Sequence, residues 1–120
     1  MTTPRADKAD LFASYWRMLA PDYAPEPVRE FRFCHGRKFA FDFAWPALLV
    51  AVEVDGGNHM ARIVNGRPVA VGRHVQDSDY EKLNIAAALG WRVLRFTPKM
   101  LERHPQDCVS MVMRALEYGR

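Results

Sequence analysis

The sequence predicts a mixed-sheet α/β domain, on three observations. Apolar residues recur at helical spacing near the two ends of the chain. Between them lie stretches in which apolar and polar residues alternate, the clearest being "KFAFDFAW" and "LVAVEVDGG". A helix-like segment then separates "LVAVEVDGG" from a further strand-like one, "WRVLRF", which is the pattern of a right-handed β-α-β crossover. The expected order is α-β-β-β-α-β-α, a mixed four-stranded β-sheet flanked by helices. At 120 residues the chain suits one domain with one core.

Each element has its own local reason. From Asp7 to Leu19, the residues Leu11, Phe12, Tyr15, Trp16 and Leu19 form an amphipathic stripe. The stretch "APDYAPEP", with three prolines, ends that helix and connects it onward. "REFRFCH" and "KFAFDFAW" alternate around the turn-like "GRK" and read as a β-hairpin. "PALLVAVEVDGG" is longer and more apolar, as a central strand should be. In "IVNGRPV" an Asn-Gly pair between β-branched residues signals a tight hairpin or a loop excursion. Asp77 to Leu89 is a second helix, with Asp77 or Ser78 able to cap its start and Gly90 at its C′ position. After "WRVLRF", Pro98 to Tyr118 is mostly a closing helix. The single domain 1–120 thus divides into an N-terminal helix and Pro-rich connection (1–27), a core (28–100) and a C-terminal helix (101–120).

Composition narrows the setting. The net charge is +3, and the excess is concentrated in two stretches. "VREFRFCHGRKF" sets Arg29, Arg32, Arg37 and Lys38 against Glu30 alone, and "WRVLRFTPKMLERH" sets Arg92, Arg95, Lys99 and Arg103 against Glu102 alone. Such patches are either solvated faces or phosphate-binding surfaces. Cys34 and Cys108 are far apart and lack metal-ligand spacing, so they read as free thiols of a reducing compartment. No apolar run is long enough to span a bilayer and the start "MTTPRADKAD" is polar, so the expected location is cytoplasmic, with no membrane partner. The four histidines are scattered and form no zinc motif. Trp16, Trp45 and Trp91 read as core or interface residues.

The acids in the strands carry the functional signal. Side chains alternate faces along a strand. If Phe39, Phe41 and Phe43 share one buried face with Val50, Val52 and Val54, then Asp42 lies on the other face with Ala51, Glu53 and Asp55. A two- or four-residue turn sets Asp42 opposite Ala51 and diagonal to Glu53, about 7 to 8 Å away. Three carboxylates on one patch are either solvated acids on an exposed sheet or ligands for a hard divalent cation. Mg²⁺ takes one or two carboxylates together with waters and substrate phosphates. A basic surface around it suits a phosphodiester substrate.

Asp42, ten intervening residues, then Glu53-Val54-Asp55 resembles the PD-(D/E)XK nuclease superfamily. Over residues 28 to 100 the blocks "DFAWP", "EVDGG", "DYEKLN" and "GWRVLRF" are similar to small phage and bacterial endonuclease-like proteins related to very-short-patch repair endonucleases. The resemblance implies a restriction-endonuclease-like core and a Mg²⁺-dependent DNA endonuclease, with Mn²⁺ as substitute. It implies that Asp42, Glu53 and the Val54 carbonyl hold the metal, that water attacks phosphorus in line, and that a 5′-phosphate end results. One departure stands out: the motif's usual lysine is replaced by Asp55. Lys82, on the following helix, is the first candidate to supply that charge, although a solvated helix lysine is the plain alternative. Asp55 is then a further metal ligand, or orients a water or Lys82.

Arg37 and Lys38 at a hairpin tip, and Arg73 and His74 in a loop, are candidate nucleic-acid contacts. His59 is a candidate base or DNA contact. Glu30 is a candidate outer acid, with an exposed strand residue as its alternative. The chain's small size favours structure-selective cutting of branched or mismatched DNA, in recombination or repair, in a bacterial cell or phage-infected host. A junction-cutting enzyme would be a symmetric homodimer. The rival reading is a non-catalytic nucleic-acid-binding module on the same fold that has lost the motif lysine.

Overall fold

The computed structural model describes residues 5–55, 61–70 and 77–118. Helix α1 (Arg5–Leu19) is followed by strands β1 (Val28–Arg32), β2 (Ala40–Trp45) and β3 (Val50–Val54). The hairpin β4 (Ala61–Val64) and β5 (Arg67–Ala70) comes next, then α2 (Asp77–Ala88), β6 (Arg92–Phe96), α3 (Pro98–Arg103) and α4 (Pro105–Tyr118). The main sheet has the order β1-β2-β3-β6. Its first two pairings are antiparallel and β3 with β6 is parallel, so the sheet is mixed as expected. The Asn-Gly stretch does form a hairpin: Asn65 and Gly66 take φ of 52° and 76°, the left-handed pair that a tight two-residue turn needs. That adds a separate two-stranded sheet to the expected order.

Helices cover both faces of the main sheet. On one side Phe12 and Trp16 of α1 pack with Phe43, Trp45, Val50, Val52, Val54 and Phe96, and with Leu101, Val109, Val112 and Leu116 of α3 and α4. On the other side Ala86 of α2 packs with Phe41, Ala44, Ala51 and Trp91. The three tryptophans are therefore buried, and Trp45 Nε1 donates to the Pro25 carbonyl at 2.7 Å, fastening the Pro-rich connection to the sheet. Neither cysteine is in a disulfide. Burial, and then neighbouring Asp107, push the Cys108 thiol up from its ordinary pKa. No helix among the described residues is long and apolar enough to cross a membrane.

Three expectations need correction. The closing helix is two helices, because Pro105 cannot donate an amide to continue α3 and instead opens α4. Phe41 and Phe43 do not share a face: Phe43 packs with α1, whereas Phe41 lies in the cluster beneath α2. Both faces of β2 are buried, so hydrophobicity alone could not say which way each phenylalanine points. The pairing is also displaced from the expected one. A 3-10 turn (Pro46–Leu48) and left-handed Leu49 make up the β2–β3 connection, so Trp45 pairs with Val50 and Ala44 with Ala51. The pairing runs as far as Phe43 with Val52, so Ala44 rather than Asp42 lies opposite Ala51, and Asp42 and Glu53 are the next residue along each strand.

The contact of α2 with the sheet centres on Ala86, buried in one cluster with Ala44, Ala51, Phe41 and Trp91. Ala86→Leu would force three extra carbons into that contact, and we expect a loss of about 1–3 kcal/mol, read as a lower urea midpoint at unchanged slope.

Candidate functional site

The site grows from an irregularity in β1 and β2. Arg29 pairs with Phe43 and Phe31 with Phe41, while Glu30 between them is left-handed at φ 50°. Arg29 lies over the Phe43 ring on the α1 side, yet Phe31 packs beneath α2. The strands thus change face across Glu30 and Asp42. At this step Asp42 extends its carboxylate toward β3, where Oδ2 accepts the Val54 amide at 2.8 Å. A side chain here takes a hydrogen bond that the backbone ladder would otherwise take. Left-handed backbone in a non-glycine residue costs free energy and is concentrated where it aims a side chain.

Glu53 is fixed by its strand. Val52 and Val54 point into the α1 side, so Glu53 faces α2, as Ala51 does. Both Asp42 and Glu53 are buried, at 6% and 7% exposure, so each needs compensating partners. Lys82 supplies one: its Nζ stands 2.7 Å from Glu53 Oε1 and 5.7 Å from the centre of the Phe41 ring. The helix geometry explains why. Lys82 and Ala86 are one turn apart on α2, so the face that seats Ala86 on the sheet also directs Lys82 at it.

Asp55 follows directly on β3. Its amide donates to the Phe96 carbonyl at 2.9 Å, and its carboxylate pairs with Arg95 of β6. Parallel pairing sets Arg95 level with Glu53. Three carboxylates (Asp42, Glu53, Asp55) and two cations (Lys82, Arg95) therefore gather at the C-terminal ends of β3 and β6, one net negative charge in all.

Among the sequence candidates, Asp42, Glu53, Val54, Asp55 and Lys82 are brought together here. Arg37, in the loop between β1 and β2, makes a two-pronged ion pair with Glu81 of α2, the neighbour of Lys82 in sequence, the second contact at 3.1 Å. That hydrogen bond is the main reason its guanidinium holds its proton more tightly than usual. The expectation of a phosphate contact thus meets a residue already engaged within the chain. Lys38 is exposed in the same loop, and Glu30 is exposed on its strand. His59, Arg73 and His74 lie outside the described residues.

Sequence reasoning placed Arg95 in a basic stretch without setting it beside the acids, and did not single out Glu81. Arg95 had a usable signal, since parallel pairing of "VAVEV" with "RVLRF" sets it beside Glu53. Glu81 had none, because its partner comes from a loop forty-four residues away.

A resident divalent cation can be tested against these residues. No group of three or more His, Cys, Asp or Glu side chains among the described residues could hold a metal ion. Two carboxylates at one strand end do meet the smaller demand of Mg²⁺, which completes its shell with waters and phosphate oxygens. Comparison with protein-family models, with curated proteins and with solved structures returned no match in any of the three.

Proposed function

We propose that this protein is a Mg²⁺-dependent DNA endonuclease with a restriction-endonuclease-like core. The observation that carries the reading is the Lys82–Glu53 contact at 2.7 Å, beside Asp42 on the adjoining strand. It supplies the positive charge absent at position 55, and supplies it at the acid where the reaction would need it.

In this reading Asp42 and Glu53 hold the cation, with the Val54 carbonyl as a backbone ligand. When bound, the ion would lower the pKa of water and offset charge gathering on the phosphate. Lys82 presents its ammonium to the phosphate oxygens as negative charge develops there, a task for a prepositioned donor in a partly dry site. Phe41 beneath that ammonium keeps water from one side of it. Water attacks phosphorus in line, the 3′ oxygen departs, and the product keeps a 5′-phosphate.

The test is a panel of single-stranded, duplex, mismatched, flapped and four-way DNA in Mg²⁺ or Mn²⁺. At least one member is expected to be cut to 5′-phosphate ends. A panel left whole in both cations overturns the proposal.

A second reading is favoured by one observation: Asp42 and Glu53 already have partners inside the chain, and Asp55, the third acid nearby, is paired with Arg95, so no group of three ligands forms among the described residues. A nucleic-acid-binding module without catalysis would look like this. Melting separates the two, because a cation bound to the native state alone stabilises it by about 2.7 kcal/mol at a hundred times its Kd. A pure binder gains nothing from the cation.

A further inference from the structure

We propose that Arg95 binds a backbone phosphate of DNA at this site, and that Asp55 is the positioning residue that holds the Arg95 guanidinium in place. The inference rests on the reading of the site as one that takes DNA, and it gives position 55 a role other than that of a metal ligand.

Two cations face the carboxylates, and their surroundings differ. Lys82 keeps only 17% of its side chain exposed and has Glu53 as its ion-pair partner. Arg95 keeps 46% exposed, and its bond to Asp55 engages one end of the guanidinium. Arginine carries five N–H donors in a planar fork that matches the oxygens of a phosphate. The backbone leaves little freedom in where that fork sits. Phe96 is buried on the α1 side, so alternation sends Arg95 to the side of Glu53 and Lys82. The Asp55 amide bonds to the Phe96 carbonyl, which keeps the carboxylate within reach of Arg95.

The charge balance makes the role of Asp55 testable by sign. An acid beside a DNA site repels phosphate, so if Asp55 acted only through its charge, removing it would tighten binding. If it acts by holding Arg95, removing it weakens binding, because the guanidinium then samples many rotamers.

Binding of the full chain to a labelled DNA duplex, in Ca²⁺ at several salt concentrations, reads this out. Ca²⁺ accepts the same oxygen ligands in a looser shell. Arg95→Gln is expected to weaken binding by about ten- to hundredfold and to lower the salt slope by about one. Arg95→Lys recovers part of the affinity, keeping the charge but losing the fork. Asp55→Ala also weakens binding, and the double variant is no weaker than Arg95→Gln alone, as expected for two residues acting through one contact. Where cleavage is measurable, both variants raise KM more than they lower kcat.

Wild-type affinity and slope in Arg95→Gln, tighter binding in Asp55→Ala, or no duplex binding by the wild type would each overturn the proposal. A further loss from Asp55→Ala in the Arg95→Gln background would return Asp55 to the cation and overturn it too. A chain that binds DNA through Arg95 yet cuts nothing would leave this inference standing while the endonuclease reading fell.

Discussion

Asp42→Asn and Glu53→Gln are each expected to lower DNA cleavage by about three orders of magnitude or more, with the fold kept. Each change removes one negative charge and preserves shape. An amide side chain at position 42 would still offer a carbonyl oxygen to the Val54 amide, so the 2.8 Å contact that replaces a ladder bond survives. A glutamine at position 53 would likewise still accept from Lys82. What disappears is the charge that would hold a divalent cation, a difference several kcal/mol deep at the transition state. Cleavage rates measured beside far- and near-ultraviolet circular dichroism separate the two effects. Rates within tenfold of wild type in both variants would show that these carboxylates do not serve the reaction.

The second large effect concerns stability. Lys82→Met is expected to cost about 3 kcal/mol at neutral pH, measured by chemical denaturation without divalent cations. Methionine fills much the same volume over Phe41, so the loss comes from removing the ammonium that donates to Glu53, an acid at 7% exposure. Changing both partners, Lys82→Met with Glu53→Gln, should restore most of the stability, since removing a whole buried pair is far cheaper than removing half of it. The coupling in that double-mutant cycle isolates the pair from other roles of either residue. The single variant also reports on cation binding. If Asp42 and Glu53 take Mn²⁺, adding it should recover much of the loss, because the ion takes over from the missing ammonium. A loss below about 0.5 kcal/mol would mean that Glu53 is compensated from elsewhere.

What the sequence disclosed follows the strength of its local signals. The crossover from β3 through α2 to β6 was legible because helical and alternating periods are distinct and Gly90 marks the boundary. The Asn-Gly hairpin was legible because few residues tolerate its two left-handed positions. The nearness of Asp42, Glu53 and Lys82 was also accessible, although the register that brings the two strands together beside them was not. That register depends on Leu49 adopting left-handed backbone, which nothing in leucine's chemistry announces. The opposed directions of Phe41 and Phe43 were hidden for a related reason. Alternation assumes an unbroken strand, and Glu30 with Asp42 breaks it. The Arg37–Glu81 pair lies at the far limit of legibility, since it forms only after the hairpin and α2 are both in place.

The same bend at Glu30 bears on how copies of this chain behave when crowded together. β1 is an outermost strand, and a straight outer strand invites another chain to add to the sheet, the route by which folded proteins grow into fibres. Midway along β1 the left-handed residue turns the amides and carbonyls out of line, and the arginines on either side repel their counterparts on an approaching copy. A straightening substitution at position 30 would therefore be paid in solubility, even if every buried side chain stayed where it is.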